Sequence, residues 1–156
     1  MTSSPWSSYL NDHLAAATAG RQLFRRAAAT HQGDELGDEL AALVLEVMAD
    51  RQALLDVMAL LEVRPNRSHA ALGWTGERLG RLKLNGTLLR RSPTTDLVEL
   101  EGMRLLVTAT GCCWEVLRAA SEHDSRIQAP TLDALMERAA DQGRRLRALQ
   151  LQVAGR

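Results

Sequence analysis

Four stretches of the chain repeat apolar residues at helical spacing, and each is bounded by a turn or cap signal. Leu10, Leu14, Ala17, Phe24 and Ala28 share one face of a helix predicted over 7–30, which ends at His31-Gln32-Gly33-Asp34. Asp34 caps a second helix over 34–62, with Glu35 in its electropositive first turn and a stripe of Leu36, Leu40, Leu43, Val47, Leu54, Met58 and Leu61. After Pro93, Thr94 or Thr95 caps a third helix over 95–121. There Leu100, Met103, Val107, Thr110, Trp114 and Leu117 step by three and four residues alternately, the heptad spacing suited to near-parallel packing. A fourth helix over 130–153 opens at Pro130-Thr131, follows Leu132, Leu135, Ala139, Gln142, Leu146, Leu149 and Val153, and carries Arg144, Arg145 and Arg147 toward its electronegative end.

Four amphipathic helices of similar length hide their stripes best against one another, which predicts an all-α four-helix bundle in a single domain over 1–156. The joins between helices 1 and 2 and between helices 3 and 4 are short, so each pair should be an antiparallel hairpin. Residues 63–94 form a long crossover between helices 2 and 3, with a short helix predicted over 68–82, bends at Gly73, Gly76, Gly80 and Gly86, and Trp74 pinning the segment to the bundle.

Two helical hairpins joined by one long crossover resemble the ferritin-like superfamily, and the resemblance spans almost all of residues 7–153. It is a likeness of architecture. Metal-binding members of that superfamily place an inward Glu on each of two helices and a Glu-x-x-His on each of the others. Here Glu46-Val47-Met48-Ala49 and Glu137-Arg138-Ala139-Ala140 have alanine where the histidine would stand. Glu137 points away from its stripe and Glu46 lies at the margin of its own. His13, His31, His69 and His123 include no pair at i, i+3 or i+4, so no single helix face offers two imidazoles to one ion. No cofactor or metal is expected.

His13 falls on the apolar stripe of helix 1, three residues after Leu10 and four before Ala17. A hairpin around Gln32-Gly33 brings it to the level of Asp50 and Arg51, which interrupt the stripe of helix 2, while Thr110 and Gln142 face inward at comparable depth on helices 3 and 4. Two readings follow. In one, His13, Asp50, Arg51, Thr110 and Gln142 make a buried polar cluster or ligand site at mid-bundle, the arginine standing where a ferritin-like site holds metal. In the other, Asp50 and Arg51 snorkel to water from the margin and His13 makes one backbone hydrogen bond. Gly111 and Gly143, inward on helices 3 and 4, should let those two backbones approach.

Composition narrows the function classes. Lys+Arg and Asp+Glu both number 19, so no net field attracts nucleic acid or an anionic membrane. Only Lys83 among the basic residues is lysine, the mark of a GC-rich, bacterial genome. The start MTSSPWSSYL lacks a charged and an apolar leader region, and no apolar run reaches membrane-spanning length, so a cytoplasmic location is expected. Cys112 and Cys113 are adjacent and make neither a disulfide framework nor a zinc set. No glycine loop has P-loop or Rossmann spacing and no serine sits in a nucleophile elbow. The expectation is a non-catalytic binding or assembly protein, homodimeric through faces such as that of Leu45, Met48 and Leu55, with an unidentified protein as possible further partner. The competing reading is a metalloprotein or small-molecule enzyme with a reduced metal site using His13, Asp50 and Glu46.

Overall fold

The structure, a computed structural model, describes residues 6–66 and 93–155. The helix predicted over 68–82, with Trp74 and the glycines around it, lies outside the described residues. The described chain forms α1 (Trp6–Thr30), α2 (Glu35–Leu60), α3 (Pro93–Ala120) and α4 (Ala129–Ala154). Among the described residues no helix is long and apolar enough to cross a membrane.

Local chemistry sets the helix ends. Asp34 is in extended conformation, and its Oδ1 accepts the Gly37 N–H at 2.8 Å, satisfying one of the free donors of the first turn of α2. Gly33, at φ 95°, makes the reversal between α1 and α2 in a region that costs glycine nothing. The Cβ of any residue at position 37 would lie 1.9 Å from the His31 carbonyl oxygen, so this turn packs directly onto α2. α2 closes where Leu61 and Val63 donate back to the Val57 and Met58 carbonyls and Glu62 turns left-handed at φ 57°. α3 begins two residues earlier than expected. Pro93 itself opens the helix, its missing N–H falling where no acceptor exists, so Thr94 and Thr95 lie inside the first turn.

The topology follows from contacts at the helix ends. Asn11 on α1 meets Arg64 and Asn66 just after α2, so α1 and α2 are antiparallel. His31, at the end of α1, bonds Asp96 in the first turn of α3, and Arg26 pairs with Glu99, so α1 and α3 are antiparallel as well. Arg104 with Gln150 and Arg118 with Asp133 align α3 against α4 in opposite directions. α2 therefore runs parallel to α3. The last turn of one and the first turn of the other lie at opposite ends of the bundle, the arrangement of two antiparallel hairpins with a long connection.

The predicted stripes meet in one apolar core. Leu10, Phe24, Leu40, Leu43, Met58, Leu100, Met103, Trp114, Leu117, Leu132 and Leu146 are all sealed from solvent, each large side chain contributing about 1.5–3 kcal/mol. On α1 the centre of the buried face is Gly20, Leu23 and Ala27, whereas Ala17 and Ala28 are only half-buried. A Cβ at Gly20 would come to 3.4 Å from Leu106 Cδ1, so α3 approaches α1 closely there.

Candidate functional site

The middle of α2 places one acid inside the bundle. Asp50 is 4% exposed and, among the described residues, is answered from α4. Arg138 donates to Oδ1 from Nε at 2.8 Å and from Nη2 at 2.5 Å, and Gln142, itself 1% exposed, donates Nε2 to Oδ2 at 2.8 Å. Charge and hydrogen bonds are both met, the condition for burying a carboxylate. Arg138 reaches in from the rim of α4 with its stem against the core. Beside this group is a cavity of about 20 Å³ lined by Ala17, Gly20, Phe24, Val47, Asp50, Leu106, Val107, Thr110 and Gln142, room for about one water.

The residues expected at mid-bundle divide. Asp50 and Gln142 bond each other, and Thr110 borders the same cavity, although its hydroxyl donates to the Leu106 carbonyl of its own helix at 3.0 Å. Arg51, the next residue, turns toward α1 and donates Nε to Thr18 Oγ1 at 3.0 Å. Burial and the neighbouring Arg21 guanidinium hold its pKa down. Arg21 Nε is buried with no hydrogen-bond partner among the described residues. His13 is more than a turn away from this level, because the register of the hairpin sets Thr18 rather than His13 beside Arg51. Its ring stands edge-on to Tyr9 with centroids 4.6 Å apart, and burial lowers its pKa from 6.5. The arginine that pairs with the buried acid is thus Arg138, not Arg51. Its spacing was a readable signal: it follows Leu135 by three residues and precedes Gln142 by four.

The donors of a ferritin-like di-metal centre do not fit this interior. Glu46 is held by Arg145 Nη1 at 2.6 Å, Glu137 is exposed, and both Asp50 oxygens are occupied by cationic or amide donors. Among the described residues no group of three or more His, Cys, Asp or Glu side chains could hold a metal ion. Burial pushes the Cys113 thiol up to about 12, and the neighbouring Tyr9 hydroxyl also to about 12, which disfavours the thiolate.

On the outside, α3 and α4 leave a groove of about 390 Å³. Gly111 and Gly143 are in its floor. A Cβ at Gly111 would touch Ala139 Cβ at 3.5 Å, so the helices do approach there, but Gly143 has nothing within 4 Å among the described residues. The close approach is made by Gly111 against Ala139, and Gly143 lines the groove. Arg104, Arg144 and Arg147 line one end, while Glu115 and Met136 lie toward the other.

Comparisons with protein-family models, with curated proteins and with solved structures found no match to this chain.

Proposed function

We propose that the protein is a non-catalytic helical bundle with ferritin-like connectivity that works as a binding or assembly module and self-associates as a homodimer. One observation carries the reading. The most buried acid among the described residues, Asp50, is saturated by Arg138 and Gln142, which supports a structural use of the bundle interior, joining α2 to α4, over metal chemistry. The apolar surface beyond the core supports association: Leu45 is 70% exposed and Leu105 66%, on a chain whose balanced charge offers little self-repulsion.

Elemental analysis of protein purified without chelator or affinity histidines, repeated after incubation with iron, manganese and zinc, tests the non-catalytic half. Metal well below one equivalent is expected. One bound equivalent that is lost in Asp50→Asn would replace this reading with the metalloprotein. Light scattering on the same sample tests the assembly half.

A further inference from the structure

α3 carries a second heptad stripe on the side away from the core. Val98, Gly102, Leu105, Ala109, Cys112 and Val116 follow one another by four, three, four, three and four residues, the spacing of a coiled-coil seam, and none bears a charge or an amide. Val98, Leu105, Cys112 and Val116 are exposed. The outward face of a helix in a lone bundle is ordinarily polar. The α2 face with Leu45 and Met48 is less continuous, since Gln52 interrupts it, bonded to Asp56, and Leu55 already packs on the core.

We propose that this stripe is the seam of a two-fold dimer in which α3 packs antiparallel against α3 of a second copy, with the axis beside Ala109. The inference rests on the assembly reading above and narrows it to one face. Reversal about Ala109 sets Leu105 against Cys112 and Gly102 against Val116, large on small in both halves, as an isologous contact requires. Parallel, in-register pairing would set Leu105 on Leu105 and leave Gly102 facing Gly102.

Charge selects the same direction. The α3/α4 groove beside the stripe is basic toward the start of α3, at Arg104 and Arg147, and acidic toward its end, at Glu115. Neither Arg147 nor Glu115 makes an ion pair among the described residues. In antiparallel order Glu115 of each copy arrives at the level of Arg104 and Arg147 of the other, twice per dimer. Parallel order would stack the arginine-lined ends together.

Sedimentation equilibrium on the full chain gives the test. The wild type should be dimeric, and Leu105→Glu should raise the dimer Kd by at least about 30-fold with its helical circular dichroism unchanged; Val116→Lys serves as the second disrupting variant. Leu45→Glu should leave the dimer intact. Glu115→Arg should weaken association, and adding Arg147→Glu should restore it. Maleimide labelling of Cys112 should slow as protein concentration rises. With Cys112→Ser in the background, Ala109→Cys should form an intermolecular disulfide under mild oxidation. A monomer at all concentrations overturns both this seam and the homodimer. A dimer that survives Leu105→Glu and Val116→Lys, or that dissociates in Leu45→Glu, overturns the seam alone and leaves the assembly reading standing. Failure of the charge swap to restore affinity, or of Ala109→Cys to cross-link, overturns the antiparallel arrangement.

Discussion

Arg138→Met is the sharpest test of the bundle centre. The change removes both donors to Asp50 Oδ1 and leaves a carboxylate that is 4% exposed with only the Gln142 bond. Breaking a fully buried pair costs about 3–5 kcal/mol. The Arg138 side chain is 35% exposed, so solvent already screens the pair and the cost falls to about 2 kcal/mol. At roughly 2–4 °C per kcal/mol for a domain of this size, Tm drops by about 4–8 °C. Asp50→Leu acts differently, stranding the Gln142 amide at a cost of about 1–2 kcal/mol while Arg138 swings to water. Arg138→Met made on top of Asp50→Leu should then cost almost nothing, because no buried charge is left to compensate. Urea unfolding of the four proteins, followed by circular dichroism with m-values compared, yields the coupling energy, expected on the order of 2 kcal/mol. The reasoning fails if Arg138→Met moves Tm by less than about 1 °C, or if the two single effects simply add.

Other consequences follow from particular contacts. Gly37→Ala drives a Cβ onto the His31 carbonyl and should lower Tm by several degrees, whereas Gly143→Ala, which meets nothing within 4 Å, should raise stability by about 0.5–1 kcal/mol from helix propensity; the same melts measure both. His13 has a pKa below 6.5 in the folded state, so at mildly acidic pH the unfolded chain binds its proton more readily and stability falls as pH drops from about 7 through the folded value. His13→Phe should therefore lose less stability than wild type between about pH 7.5 and pH 5.5, read from urea midpoints. Cys113, pushed up to about 12 from 9.0, should stay unlabelled by iodoacetamide at neutral pH in the native protein and react only on unfolding, as counted by mass spectrometry. Rapid native labelling at position 113 would contradict its placement.

The helices were legible because long apolar repeats at three and four residues have one good burial solution, and the hairpins because His31-Gln32-Gly33-Asp34 leaves no room for anything but a tight reversal. The relative offset of α1 and α2 was not. It depends on how closely the turn packs onto Gly37, and it moves Thr18 to the level where His13 was expected. Asp50 and Gln142 were readable as polar breaks in apolar stripes. Arg138 was not chosen, since an arginine flanking a stripe ordinarily turns to water, and only the position of Asp50 across the α2/α4 interface draws it inward. At Gly111 and Gly143 a glycine's effect depends on what the facing helix presents: α4 sets Ala139 against Gly111, whereas Gly143 on α4 meets nothing within 4 Å among the described residues.

The two interfaces that join the hairpins are unequal. α1 and α3 come close enough for Leu106 to lie over Gly20, whereas α2 and α4 approach least of the four neighbouring helix pairs. Across that wider gap stand Asp50–Arg138, Asp50–Gln142, Glu46–Arg145, Glu39–Arg145 and Glu35–Gln152. The molecule is thus bound like a book, with a close-packed spine along α1/α3, whose ion pairs Arg26–Glu99 and His31–Asp96 stand at one end, and a clasp of long polar side chains along α2/α4. Such a clasp loosens in salt more than the close-packed spine does. The first opening of the folded state therefore runs along the fore-edge, with amide exchange on the facing sides of α2 and α4 quickening as ionic strength rises.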